Sequence, residues 1–586
     1  MFIPTTKEEL IKLNWKELDV ILVSGDTYID SSYIGVSVIG RVLLNAGFRV
    51  GIIAQPAIDS DVDIKRLGEP KLFWGISSGS MDSMVANYTA LLKKRKQDDF
   101  TPGTVNNKRP DRALIVYCNL IKKYFKNSVP IILGGVEATL RRFSHYDYWS
   151  DKLKRSILLD SKADLLVYGM GEKAILELAQ IFRKFRECRE SGNNYLNYSD
   201  ELKRVRGILY TAKEVPTTWE FLELPSHQSV LESKESFALM FDQFYMNNDP
   251  KNAKALYQAC DKNRFLIQNP PALHLTTSEL DSIYELPYQR DVHPYYKKDG
   301  EVRALNTIKF SITTHRGCYG ECNFCSINLH QGRTILSRSI DSIIREITQI
   351  ASRDDFKGYI SDLGGATANM YGGDCALKLE VGGCKNKRCL FPQKCQKMPH
   401  FHHQQLKLLE RVSEIKDVND VKNVKVKKVF ISSGIRYDLV VSDEKFGIKY
   451  LKKIIKDHTS GQLKLAPEHI DEEVLKLMGK PTDPGQKMLL QFKKSFEDIN
   501  KELGLKQFLT YYFMVCYPGC NDQNALNLKS FIKKNMKFTP EQVQIFTPLP
   551  STYGSLMYYL SSCLDSDHIY IEKNLKEKEK QKMCLF

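Results

Sequence analysis

From residue 19 to about residue 180, short apolar runs alternate with amphipathic stretches, the rhythm of βαβ units in an open parallel sheet. The runs VILVSG (20–25), RVGIIAQ (49–55), LFWGISSG (72–79), VPIILGG (129–135) and ADLLVYG (163–169) predict the strands. Between the first two, Ile34, Val38, Val42 and Ala46 recur at intervals of four and predict a helix covering one sheet face. Gly47 then stops that helix, because glycine tolerates the left-handed conformation after a helix end. Residues 185 to about 305 lose this regularity, and their charged stretches, the pair Pro270–Pro271 and LPYQRDVHPYY read as a connecting region with some helices.

A second βα series begins near residue 307, with strands predicted at TIKFSITT (307–314), KGYISDLGG (357–365), VKKVFISSG (426–434), GQLKLAPE (461–468), FLTYYFMV (508–515) and QVQIFTP (542–548). From Ser337 to Ala351 the residues Ile340, Ile343, Ile344, Ile347 and Ile350 form one apolar stripe, with Ser337 or Ser339 as N-cap. Leu406, Leu409, Val412 and Ile415 repeat the pattern. Such a series fits an incomplete (β/α) barrel or a second open sheet, and periodicity does not choose between them. The closing stretch KNLKEKEKQK reads as a solvated charged end. The expected divisions are an N-terminal open α/β domain (1–185), a connecting region (186–305), a second βα series (306–550) and a C-terminal tail (551–586).

Composition narrows the class. The 586 residues are 42% hydrophobic and 26% charged, which excludes collagenous and disordered chains. No apolar run reaches the ~18 residues of a membrane span, and MFIPTTKEELIKLNW lacks the apolar core of a signal peptide, so a cytoplasmic protein without a membrane partner is expected. In that reducing compartment 14 Cys argue for metal ligation over a disulfide framework. The net charge of +15 is compatible with an anionic partner such as RNA.

The strongest chemical signal is HRGCYGECNFC, where Cys318, Cys322 and Cys325 stand as C-x-x-x-C-x-x-C directly after the first strand of the second series. Three thiolates on one loop can grip three irons of a [4Fe-4S] cluster and leave the fourth iron open. Gly317 and Gly320 let the backbone wrap such a cluster, and Arg316 is placed to balance its charge. A structural zinc site or three unrelated thiols are the alternatives, although tetrahedral zinc needs a fourth ligand at matching spacing.

This loop resembles the defining motif of the radical S-adenosylmethionine (SAM) superfamily. The strings GDTYIDSSYIGVSVIGRVL, KRPDRA, ILGGVEATLRRFSHYDYWSD, DSKADLLVYG, ISDLGGATANMYG, SSGIRYDL, LKLAPEH and QVQIFTPLPSTYGSLMYY, spread over most of the chain, resemble the YgiQ-like radical SAM family more narrowly. The resemblance implies a partial (β/α)6 TIM-barrel core behind an N-terminal open, cobalamin-binding-like or Rossmann-like domain. It also implies a [4Fe-4S] cluster that binds SAM on its open iron, and a one-electron donor such as flavodoxin or ferredoxin. Reductive cleavage of SAM would then give methionine and a 5′-deoxyadenosyl radical that takes hydrogen from a substrate the resemblance does not name.

In such a barrel the loops at the carboxyl ends of the strands hold the site. Gly364 and Gly365 match the place where the superfamily's backbone meets the SAM amino group, with Asp362 beside them. Ser433, Arg436 and Asp438 follow the third strand, and Glu468 and His469 the fourth; these polar groups are candidates for the SAM carboxylate, the ribose or the substrate.

Cys375, Cys384, Cys389 and Cys395 form a second set in a Gly- and Lys-rich insertion, suited to an auxiliary iron-sulfur cluster or to structural zinc, with His400, His402 or His403 as substitutes for one thiolate. Cys516 and Cys520 end the fifth strand, while Cys118, Cys188, Cys260, Cys563 and Cys584 read as isolated.

In the N-terminal domain, base-off cobalamin would call for Asp-x-His-x-x-Gly after the first strand, but the chain reads GDTYID there. Asp291-Val-His293-Pro-Tyr-Tyr296 is the nearest approach, and the reading here is against cobalamin. No G-x-G-x-x-G follows a strand to hold a dinucleotide, and Gly134, Gly135 and Glu137 read as a tight turn or a binding loop. Besides the radical SAM enzyme of unknown substrate, two functions stay in view. An RNA-modifying enzyme of the same chemistry would use Lys clusters such as VKNVKVKK, and a non-catalytic iron-sulfur or zinc scaffold would need no open iron.

Overall fold

A computed structural model describes residues 1–191, 198–261, 263–400, 402–417, 426–481, 485–562 and 568–586. It divides into two compact units, one of Met1–His274 with Leu286–Lys309, the other of Leu275–Glu285 with Phe310–Phe586. Among the described residues, no helix is long and apolar enough to cross a membrane.

The first unit is built on a nine-stranded sheet. Its strands are β1 (Val20–Ser24), β2 (Val50–Ala54), β3 (Phe73–Ser77), β4 (Ile131–Gly134), β5 (Leu165–Val167), β6 (Ile208–Ala212), β7 (Phe221–Leu224), β8 (Ala255–Asp261) and β9 (Arg264–Gln268), in the order β2-β1-β3-β4-β5-β6-β9-β8-β7. The first five are parallel, with Val20 opposite both Val50 and Phe73. All residues of β1 and β2 are buried, as continuous apolar runs covered on both faces should be. The helix α1 (Gly35–Asn45) buries Val36, Val38, Val42 and Leu43, and Gly47 follows it at φ +78°.

One sequence expectation is corrected here. Residues 186–305 are more than a connecting region, because they supply β6 to β9, four strands that extend the sheet with antiparallel pairing at β5–β6, β6–β9 and β8–β9. Their pattern was hidden by polar residues such as Gln258, Gln268 and Asp261 inside the strands; Gln268 accepts from Arg142 Nε at 2.8 Å, and Asp261 pairs with Arg264.

The second unit carries six strands in series, with parallel pairing along the run. They are β10 (Ser311–Thr313), β11 (Asp362–Gly364), β12 (Lys428–Val429), β13 (Gln462–Glu468), β14 (Phe508–Val515) and β15 (Val543–Ile545). Ser311 lies opposite Asp362, Leu463 opposite Leu509 and Phe513 opposite Val543. The N–H of Leu363 donates to Phe430 O at 2.8 Å, and that of Ile435 donates to Lys464 O at 2.9 Å, which continues the run across its middle. Every strand is at or within a predicted apolar run. The helix α2 (Ile340–Ala351) starts at Ser339, whose hydroxyl accepts the N–H of Ser342 at 3.1 Å. It drives Ile343, Ile347 and Ile350 into a core with Ile312, Leu363, Val429, Leu465 and Phe513, each such side chain contributing about 1.5–3 kcal/mol by burial.

The end of the chain also departs from expectation. KNLKEKEKQK is no solvated tail: α3 (Leu575–Met583) packs on the second unit with Lys578 and Gln581 buried, and Leu585 enters the core. The long lysine stem makes this feasible, because Lys578 lays its methylenes against apolar surface and carries Nζ to the Tyr558 hydroxyl at 2.9 Å.

Candidate functional site

The carboxyl ends of β10, β11, β12 and β13 converge on the thiols of the Cys318–Cys325 loop. Chain geometry fixes the entry. Gly317 has φ +87°, and a Cβ there would meet Thr334 O at 2.1 Å, so glycine alone fits. Cys318 N donates to Gly332 O at 3.1 Å, while Cys318 Sγ accepts from Gly320 N at 3.4 Å and lies 3.6 Å from Thr367 Oγ1. Asn323 anchors the far side, its N–H donating to Met478 O and its side chain to Leu477 O, both at 2.8 Å. Burial pushes the Cys318 and Cys325 thiols up, and the neighbouring Cys322 adds to the effect in both. Thiols held this way need a cation or a metal to become thiolates.

The cation is Arg436, which the sequence reading had not linked to the thiols. Its Nη1 points at Cys322 Sγ from 3.8 Å, and a Cβ on Gly320 would stand 2.6 Å from the same nitrogen. Arg316, expected in this role, instead donates through Nε to the Tyr284 hydroxyl at 2.9 Å. Asp438 orients Arg436, with Nη2 2.6 Å from Oδ2 and Nε 3.0 Å from Oδ1. Burial alone would raise the Asp438 carboxyl, yet the Arg436 charge and its hydrogen bonds hold it below the ordinary value. The backbone of Arg436 is fixed by Asn369, which accepts from Arg436 N and donates to Arg436 O, both at 2.9 Å. Asn369 sits in the quoted GGATANM string but was not singled out.

Gly364 and Gly365 close the second strand against this loop. Thr314 N donates to Gly364 O at 2.8 Å, and a Cβ on Gly365 would stand 2.7 Å from His315 Cε1 and 2.9 Å from His315 O. A Cβ on Gly364 would stand 2.9 Å from Ser433 Oγ. Asp362 straps the second strand end to the third: Oδ1 accepts the N–H of Ser432 at 2.7 Å and of Ser433 at 3.1 Å, and Oδ2 accepts the Ser433 hydroxyl. Asp362 and Ser433 thus satisfy each other. Buried His315, its Nδ1 2.8 Å from Thr314 Oγ1, is held down to about 4 by burial.

Glu468 ends the fourth strand in the left-handed region at φ +67°, a conformation uncommon for a non-glycine residue and one that re-aims the side chain. Burial raises its carboxyl, opposed by Lys480, whose Nζ lies 3.9 Å away, and by Arg436. His469 faces elsewhere, with Nε2 3.7 Å from Cys520 Sγ. Cys520 and Cys516 belong to the dock of α3: Gln581 Oε1 accepts Cys516 N at 2.6 Å and lies 3.6 Å from Cys520 Sγ.

Of the second cysteine set, Cys375, Cys389 and Cys395 pack with Cys318 around one apolar cluster that contains Tyr319, Leu390 and Met398, while Cys384 is exposed. The histidines considered as substitutes are engaged elsewhere. His402 Nδ1 lies 2.9 Å and His400 Nδ1 3.2 Å from the Asp443 carboxylate, and His403 packs on Phe446. Cys118 is buried, Cys188, Cys260 and Cys584 are partly exposed, and Cys563 and most of the VKNVKVKK stretch lie outside the described residues.

In the first unit the sheet order reverses between β1 and β3, where open α/β sheets place ligands. Buried charged side chains pair there: Arg109 with Asp26 and, at 3.3 Å, with Asp98, and Asp26 Oδ2 accepts Ser80 N at 2.6 Å. Gly135 has φ +86°, and buried Glu137 accepts Ser83 N at 2.7 Å beside the Asp82–Arg141 pair. His293 is 3.0 Å from Glu9.

Comparison with known proteins places this arrangement in a class. A family model described as radical SAM N-terminal matches residues 2–311. A UPF0313 protein of Fusobacterium nucleatum is 51% identical over 583 residues, 99% of this chain and 98% of its own. One from Thermotoga neapolitana is 46% identical, covering 99% and 98%, and one from Clostridium botulinum is 45% identical, covering 100% and 86%. The chain therefore belongs to the YgiQ-like radical SAM family, whose curated relatives are called UPF0313 proteins.

Among solved structures, the radical SAM methyltransferase TsrM of Kitasatospora setae matches with a TM-score of 0.49 at 11% identity, over 97% of this chain and 89% of its own. The cobalamin-dependent radical SAM enzyme OxsB matches with a TM-score of 0.48 at 12% identity, over 98% and 57%. Structures of both contain cobalamin, so the reading against cobalamin drawn from the missing histidine motif is withdrawn. Likeness at this level assigns no ligand to this chain.

Proposed function

We propose that this protein is a radical SAM enzyme in which Cys318, Cys322 and Cys325 hold a [4Fe-4S] cluster and Gly364, Gly365, Ser433, Arg436 and Glu468 border SAM. Family membership supports the enzyme class. The observation that carries the site assignment is the meeting of the three-thiol loop with Arg436 at Cys322 and with the glycine end of β11. The donor set fits a cluster better than a single ion. Three thiols on one loop leave a single tetrahedral ion one ligand short, whereas a cubane takes each thiolate on a separate iron.

When bound, the cluster supplies the electron that cleaves SAM to methionine and a 5′-deoxyadenosyl radical, drawn from a donor of the flavodoxin or ferredoxin kind. The chain's residues prepare the place. Arg436, fixed by Asp438 and Asn369, offsets the negative charge of the thiolates. The Gly364 backbone leaves room for SAM where any side chain would collide with Ser433. The apolar packing around Cys318 excludes water and competing hydrogen donors.

Anaerobically reconstituted protein should show a [4Fe-4S] resonance that changes when SAM is added, and dithionite should then release 5′-deoxyadenosine. A fully loaded cluster that does neither would overturn the reading. The C318A/C322A/C325A variant should lose both.

A further inference from the structure

We propose that the insertion after β11 holds a second iron-sulfur cluster, ligated by Cys375, Cys384, Cys389 and Cys395. This goes beyond the SAM-cleaving site and does not depend on it. Residues 382–400 contain no helix or strand, and Leu390 and Met398 are the buried side chains of the stretch. A segment with so small a core needs a covalent or metal staple to keep one shape. Cysteines are what it carries. Cys375, Cys389 and Cys395 come from separate turns yet border one apolar cluster, and the N–H of Cys395 donates to Cys389 O at 2.8 Å, folding the chain back so that the two stand together. Cys384 follows Gly382, at φ +94°, on the exposed turn between them and completes four thiolates.

The insertion is also fastened to the loop of the first cysteine set. Arg388 donates to Glu321 O at 3.1 Å and to Asn323 Oδ1 at 2.7 Å, and Asp374 Oδ2 accepts Ile335 N at 2.7 Å. Buried Lys378 pairs with Asp374 at 2.5 Å. Zinc fits less well, since four thiolates on one ion must converge on a point, whereas Cys384 is exposed and the other three border a buried apolar cluster. A cubane takes each thiolate on a separate iron and so accepts ligands that stand apart.

The test is metal analysis of the full chain as C318A/C322A/C325A, purified anaerobically and reconstituted with iron and sulfide. About four irons and four sulfides per chain, with an electron resonance signal that SAM leaves unchanged, are expected. No residual iron, or one zinc in its place, would overturn the proposal. Should that variant not fold, the unaltered protein decides: about eight irons per chain support a second cluster and about four reject it. The C375A/C389A/C395A variant should lose half the iron while the SAM-sensitive resonance persists. If the SAM-dependent change were missing in all forms while about eight irons remained, the proposed function would fail and this proposal would stand.

Discussion

Arg436 grips both carboxylate oxygens of Asp438, and that fork leaves its third nitrogen, Nη1, 3.8 Å from Cys322 Sγ. The pair is buried, so removing one partner strands the other. Changing Arg436 to Ala should lower the stability of the second unit by about 3–5 kcal/mol, the cost of an unpaired buried carboxylate. R436A/D438N should recover most of that stability. SAM cleavage should remain depressed in both by about 10- to 100-fold, since a hydrogen bond to a charged group is worth about 1.5–3 kcal/mol. Thermal unfolding and 5′-deoxyadenosine release, measured side by side, separate the two effects; cleavage fully restored in R436A/D438N would remove Arg436 from the site.

Gly364 leaves no room for a methyl group, because Ser433 Oγ stands 2.9 Å and Asp362 Oδ2 3.3 Å from where Cβ would be. G364A should therefore weaken SAM binding about tenfold or more, read from titration of the SAM-induced change in the cluster resonance. Removing the obstructing hydroxyl in G364A/S433A should recover part of the affinity. An unchanged titration in G364A would show that SAM does not approach this strand end.

The parts of the fold that were legible in sequence are those with long apolar runs. All eleven runs marked as strands hold strands, most plainly β1 and β2, which are buried on both faces and apolar almost throughout. Illegible were β6 to β9, whose apolar pattern is interrupted by polar residues such as Gln258 and Gln268, and α3, whose lysines hide an interior face. At the site, the thiols were legible from spacing alone. Arg436 was marked only as a strand-end candidate, since its approach to Cys322 depends on a separation of 114 residues that no local pattern reports. Asn369 and Asp362 act by hydrogen bonds to backbone, which leave no periodic trace in sequence.

The last helix supplies partners for two buried backbone groups. Gln581 Oε1 accepts Cys516 N at 2.6 Å, and Gln581 Nε2 donates to Cys520 O at 3.3 Å. Q581L should leave these buried groups unsatisfied and cost about 1–3 kcal/mol each at most. Ending the chain at Asn574 should cost more, since Leu585 also leaves the core. Differential scanning calorimetry of the unfolding transition checks both. If truncation left the transition temperature unchanged, α3 would not be part of the folded unit.

His145 in the first unit and His469 in the second are buried and neutral, held down to about 3 and about 4 respectively, burial being the main cause in each. In the unfolded chain both titrate near 6.5. The unfolded state therefore binds more protons between those values, and stability rises with pH across that window. The contribution is fully present above about pH 6.5 and is lost as pH falls toward about 4. At about 1.4 kcal/mol per pH unit of displacement, each histidine should cost on the order of 3 kcal/mol by pH 4. Denaturant unfolding at pH 7 and at pH 4 should show this loss, and H469Q should flatten the slope for the second unit while H145Q flattens it for the first. Equal slopes in the variants and the unaltered protein would mean that other groups govern acid unfolding.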